Sequence, residues 1–188
     1  PSWIWRLAAG KDGAVVGQLH TRLLANAVDI THGDLCQLCE AARVHAVTIV
    51  CGINECDQCN GGGTLYNSVV VIGASGAVLN RHRKLMPTNP ERMVHGFGDA
   101  SGLRAVDTPV GRVGALICWE NYMPLARYAL YAQGVEIYVA PTYDTGEGWI
   151  STMRHIALEG RCWVLGSGSA LRGSDIPDDF PARAQLFA

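Results

Sequence analysis

The sequence has no excess of basic charge, no long apolar run and no internal repeat, and each absence removes a class of function. Fifteen basic residues against 17 acidic ones leave a formal net charge of -2. That balance offers no electrostatic footprint for nucleic acid or for an acidic membrane surface. No stretch approaches the roughly 18 consecutive apolar residues of a membrane-spanning helix, and the N-terminal residues lack a basic-then-apolar signal pattern. The expectation is a cytoplasmic protein whose partner is a small molecule. Charged residues are scarce at 17%, whereas apolar residues reach 48%, enough for one core in a chain of 188 residues. Without a repeat or a dividing linker, residues 1–188 read as a single domain or part of one.

Cysteine is plentiful. Seven are present, and Cys36-x2-Cys39 with Cys56-x2-Cys59 has the spacing of a four-cysteine zinc ribbon. Leu35 to Arg43 reads as an amphipathic helix and Ala46 to Cys51 as a buried strand, however, whereas a ribbon sets each pair on a tight knuckle. Only Cys56 to Cys59, before the Gly61-Gly62-Gly63 run, looks knuckle-like. The odd number and the missing signal also argue for a reducing compartment rather than disulfides.

Hydrophobic periodicity gives a regular alternation. Helices are expected over 15–27, 34–44, 124–133 and 147–160. Strands are expected over 46–52, 65–72, 77–82, near 103–107, and over 112–117, 135–140 and 162–167. This order suits an α/β protein with helices covering sheet faces. The segment from Arg83 to Ser101 lacks periodicity, and its length favours a functional role over a simple connection.

Two segments carry the chemistry. Arg81-His82-Arg83-Lys84-Leu85-Met86-Pro87-Thr88 offers a lysine in an irregular stretch closed by proline. In Ala115-Leu116-Ile117-Cys118-Trp119-Glu120-Asn121 a cysteine stands where an apolar strand stops and a polar turn begins, the place where nucleophiles are displayed. A following helix with Pro124 in its first turn would present free amides and a positive dipole end to Cys118, favouring the thiolate. The alternatives are a buried structural cysteine for Cys118 and a basic surface run for Lys84.

These stretches, with GINE at 52–55, TLYNSVVVIGASG at 64–76, APTYD at 140–144 and MRHIALEGRCWVLG at 153–166, resemble the nitrilase branch of the carbon-nitrogen hydrolase family. The resemblance implies a four-layer α-β-β-α sandwich. It makes Cys118 the nucleophile, Lys84 the cation that steadies developing charge, and Glu91 the auxiliary carboxylate that positions Lys84 or the substrate. A solvated loop carboxylate is the alternative for Glu91. Trp119, Glu120 and Asn121, together with Tyr143 and Trp149, are the expected substrate contacts, with ordinary aromatic packing the alternative for Tyr143 and Trp149, and His95 is a further candidate. His155 and Glu159, four residues apart on one helix face, are expected to organise structure.

The general-base glutamate that the resemblance implies matches neither Glu40 nor Glu55, the latter aligning with a position that shapes the site. It is expected ahead of Pro1, so the chain reads as an internal fragment, incomplete at both termini. The resemblance implies hydrolysis of a small nitrile to a carboxylic acid and ammonia, without metal or organic cofactor. Action on an amide, or release of an amide, is the alternative within the family, and a non-catalytic zinc-binding module is the alternative outside it. It also implies a homo-oligomer, with Tyr122, Leu125, Tyr128 and Tyr131 as the surface.

Overall fold

The structure, a computed structural model, describes residues 2–8, 10–59, 61–183 and 186. Three strands, β1 (Ile49–Asp57), β2 (Thr64–Ile72) and β3 (Val78–Arg83), form an antiparallel sheet in that order. The second sheet holds β4 (Val106–Thr108), β5 (Gly111–Ala115), β6 (Ile137–Thr142) and β7 (Trp163–Gly168). In it β4 runs antiparallel to β5, while β5, β6 and β7 are parallel. The helices are α1 (Gly13–Ala25), α2 (Cys36–His45), α3 (Pro124–Tyr131) and α4 (Glu147–Gly160).

The layering follows from side-chain alternation along the central strands. On β2, Val69 and Val71 pack with Val113, Ala115 and Val139 of the other sheet, whereas Val70 and Ile72 pack with Leu35 and Ala42 on the α2 side. On the second sheet Val139 faces the first sheet, while Tyr138 and Ala140 meet Leu130 of α3 and Ile156 of α4. The result is the α-β-β-α sandwich expected from the sequence. α1 buries Leu19 in a separate cluster with Ile4, Leu7, Val94 and Leu186.

Two elements differ from expectation. β1 begins at Ile49 and continues past Gly52, where the expected strand ends, through Asp57, because each of its residues pairs with β2 as far as Asp57 opposite Thr64. The ladder overrides local propensity there. Between β5 and α3 a 3-10 helix, Cys118–Tyr122, intervenes. Cys118 therefore opens that tight turn instead of facing the start of α3.

Candidate active site

A cleft of about 860 Å³ opens where the parallel strands β5, β6 and β7 end, and its opposite wall comes from β1 and β2. Ligands of open α/β sheets commonly bind beyond the carboxyl ends of the strands. Cys118, Thr142 and Ser167 lie on one side of the cleft, Asn54 and Ser68 on the other, and Glu91 and His95 line it from the segment that follows β3.

Cys118 sits at φ +52°, in the left-handed region. For a residue with a Cβ this costs on the order of 1–2 kcal/mol, and sharp strained turns are how sheet proteins display a nucleophile. The turn is braced from beneath. The Asn121 amide group donates to the carbonyls of Leu116 (3.0 Å) and Cys118 (2.7 Å) and accepts from the Tyr138 hydroxyl at 2.7 Å. Arg127 in turn donates to the Asn121 carbonyl at 2.9 Å.

Glu120, 1% exposed, joins the turn to the lysine segment. One carboxylate oxygen accepts from the Ile117 amide (2.7 Å), the other from the Leu85 amide (2.6 Å), and His82 Nε2 lies 3.1 Å from both.

Lys84 is itself buried, with 1% exposure. Its Nζ donates to Glu91 Oε2 at 2.5 Å and to Thr88 Oγ1 at 2.9 Å, and the same Glu91 oxygen accepts from the Thr88 amide at 2.7 Å. Burial works against the charged form of Glu91, yet the adjacent Lys84 ammonium and these hydrogen bonds outweigh it and hold the carboxyl below its ordinary value. An ammonium excluded from water needs such a partner. Gly98 and Gly102 press against the backbone of Arg81 to Lys84 so closely that a Cβ at either would overlap it, and the Gly98 amide donates to the Lys84 carbonyl at 2.9 Å.

Residues 12–176 match the sequence profile of the family described as carbon-nitrogen hydrolase. The chain belongs to the carbon-nitrogen hydrolase family. It is 48% identical over 151 residues to a bifunctional nitrilase/nitrile hydratase of Lupinus angustifolius, covering 80% of this chain and 42% of that protein. It is 45% identical over 159 residues to an aliphatic nitrilase of Sinorhizobium fredii, covering 85% and 50% of the two chains. A carbon-nitrogen hydrolase of Helicobacter pylori shares its fold, with a TM-score of 0.62 at 23% identity over 79% of this chain and 56% of that one. The chain thus spans half or less of the length of these curated relatives.

Within this carbon-nitrogen hydrolase the residues singled out from sequence divide into two groups. Cys118, Glu91, Trp119, Tyr143 and His95 line the cleft, with Lys84 held directly behind Glu91. Glu120, Asn121 and Trp149, expected to touch substrate, do not line it. The first two spend their polar atoms on the backbone, on His82 and on the Tyr138 hydroxyl, and Trp149 packs against Leu130 and Ile156 beneath the second sheet. A polar residue next to a nucleophile can serve the turn itself, which sequence spacing does not distinguish from a ligand contact.

Glu55 stands behind the cleft wall, accepting from Ser68 Oγ at 2.6 Å and from Arg83 Nε at 2.9 Å. His155 lies 3.5 Å from Glu159, which also meets Arg127 at 3.3 Å. Cys36 and Cys39 lie on α2 and Cys56 on β1. Among the described residues no group of three or more His, Cys, Asp or Glu side chains is arranged to hold a metal ion.

Asn54, Ser68 and Thr142 were not singled out from sequence, although each lies within a stretch that resembles the family. The available signal was a polar residue on, or at the end of, an otherwise apolar strand.

Proposed function

We propose that the protein carrying this chain is a nitrilase, converting a small nitrile to a carboxylic acid and ammonia with Cys118 as nucleophile. The observation that carries the reading is the Cys118 turn in the wall of a cleft also lined by Glu91, the partner of the buried Lys84. The names of the relatives favour a nitrile over an amide as substrate.

In this scheme a base takes the thiol proton and the sulfur forms a bond to the nitrile carbon, while the nitrogen is protonated to give a thioimidate. Water adds to that carbon, ammonia leaves and an acyl-thioester remains. A second water releases the acid and returns the thiol. Lys84 steadies charge on the substrate nitrogen or oxygen, Glu91 keeps Lys84 in place, and the Trp119 amide is the donor to the tetrahedral intermediate. The base implied by the family resemblance is a glutamate that neither Glu40 nor Glu55 matches, so the activity is assigned to the full-length protein. Trp119 and Tyr143 contact the substrate, no cofactor takes part, and the protein acts in the cytoplasm as a homo-oligomer.

The bifunctional relative favours a second outcome at the same site. If the tetrahedral intermediate expels the thiolate before ammonia, the product is the amide. The test is ammonia and amide release from a panel of nitriles and amides by the full-length protein and its Cys118→Ala variant. Cysteine-dependent ammonia release from nitriles is expected. Nitrile turnover that survives the substitution rules out Cys118 as nucleophile, and turnover of amides alone rules out the nitrilase assignment.

A further inference from the structure

The parallel register between β5 and β6 brings a hydroxyl to the reactive sulfur. Ala115 is opposite Val139, and continuing both strands by three residues puts Cys118 beside Thr142, the last residue of β6. The Leu116 amide, donating to the Val139 carbonyl at 3.1 Å, keeps the two chains together past the last paired residue. Thr142 Oγ1 lies 3.2 Å from Cys118 Sγ, and both residues line the cleft.

A second contact orients the hydroxyl. The Asp144 amide donates to Thr142 Oγ1 at 3.0 Å, and Asp144 is fixed in turn by the Gly146 amide, which donates to its Oδ1 at 2.9 Å. A threonine hydroxyl has one hydrogen and two acceptor lone pairs. With one lone pair taken by the Asp144 amide, the hydrogen cannot point that way and is free to point at the sulfur. Donation into the oxygen also polarises the O–H bond, which makes it a stronger donor.

We propose that Thr142 is a catalytic residue of this site, its hydroxyl donating a hydrogen bond to the Cys118 thiolate. The proposal rests on the reading of Cys118 as nucleophile. A thiol can use the same hydroxyl only as one of two neutral partners, whereas a thiolate is an acceptor alone and makes a charge-assisted bond with it. The contact therefore favours the ionised sulfur before attack. It weakens when the sulfur becomes bonded to carbon and returns when the sulfur leaves as thiolate on hydrolysis. No proton is transferred through Thr142, and its O–H stays intact throughout. The hydroxyl thus acts at both the formation and the breakdown of the covalent intermediate.

The test uses the full-length protein and the variants Thr142→Val, which keeps the shape without the hydroxyl, Thr142→Ser, which restores it, and Thr142→Ala. Alkylation of Cys118 by iodoacetamide is followed against pH, with mass spectrometry of the Cys118 peptide separating it from the other cysteines. In Thr142→Val the midpoint should move up by about one pH unit, the equivalent of one lost charge-assisted bond. The turnover number should fall about tenfold with little change in KM, and Thr142→Ser should recover most of both. If Thr142→Val does not fold, the comparison of Thr142→Ala with Thr142→Ser gives the same readout. An unchanged midpoint in a folded variant without the hydroxyl overturns the proposal, even if turnover remains cysteine-dependent and the nitrilase reading stands. A shifted midpoint together with nitrile turnover that survives Cys118→Ala would instead retain the hydroxyl–sulfur bond and remove the assigned nucleophile.

Discussion

Cys118 at φ +52° is a side chain held in a backbone conformation suited to glycine. The strain belongs to the backbone and should be released when the Cβ is removed. Cys118→Gly should therefore unfold at higher denaturant than Cys118→Ala, by about 1 kcal/mol after glycine's greater chain entropy is discounted. Equal or reversed midpoints in urea would show that the turn stores no such strain. His95 gives a second effect at this scale. Burial lowers its pKa from 6.5 to about 4, and Lys84 and His20 act in the same direction while Glu91 opposes them. The unfolded chain then binds a proton that the folded protein does not, so stability is complete above pH 6.5 and falls as the pH drops towards about 4. The loss reaches about 3 kcal/mol. Glu91, held below its ordinary value of 4.5, adds a further loss at still lower pH. Urea titrations across this range check the slope, and His95→Gln should flatten its upper part.

At the scale of elements, the site depends on how β3 and β5 are joined beyond their ends. Neither strand pairs with the other, since they belong to different sheets. Glu120 makes the link by accepting from Leu85 just past β3 and from Ile117 just past β5, with His82 of β3 against both carboxylate oxygens. Glu120→Ala leaves the buried Ile117 amide, the half-buried Leu85 amide and a buried imidazole without their partner. The expected cost is about 3 kcal/mol or more, together with loss of turnover. Chemical denaturation measures the first and ammonia release the second. Full activity in a folded Glu120→Ala variant would show that the position of Lys84 relative to Cys118 does not depend on this carboxylate. The boundaries of α4 were legible in the sequence because its apolar positions recur at helical spacing from Trp149 to Ile156. The second half of β1 was not, because Ile53 to Asp57 become a strand only through pairing with β2.

Over the whole molecule, the outer face of the second sheet's helices carries apolar side chains that the fold does not cover. Leu125 is 83% exposed and Leu158 80%. Tyr128 is exposed as well, whereas Tyr131 packs inward beside Tyr138. Apolar side chains on this scale mark contact surfaces. The expected outcome is concentration-dependent self-association, with Leu125→Asp together with Tyr128→Asp lowering the mass seen by light scattering. An unchanged mass would show that this face makes no contact between copies. Among the described residues no helix is long and apolar enough to cross a membrane.

By itself the sequence determined the α/β alternation, the lysine and cysteine segments and the family they resemble, because periodicity and motif spacing are local properties of the chain. Tertiary structure decided which of the polar residues beside Cys118 face the cleft. Glu120 and Asn121 turn to the backbone because the strained turn and two unpaired strand ends leave buried amides and carbonyls that need partners. Thr142 reaches the sulfur because two strands far apart in sequence lie in parallel register. Neither fact is written in the spacing of residues along one chain, since both depend on which strand becomes the neighbour.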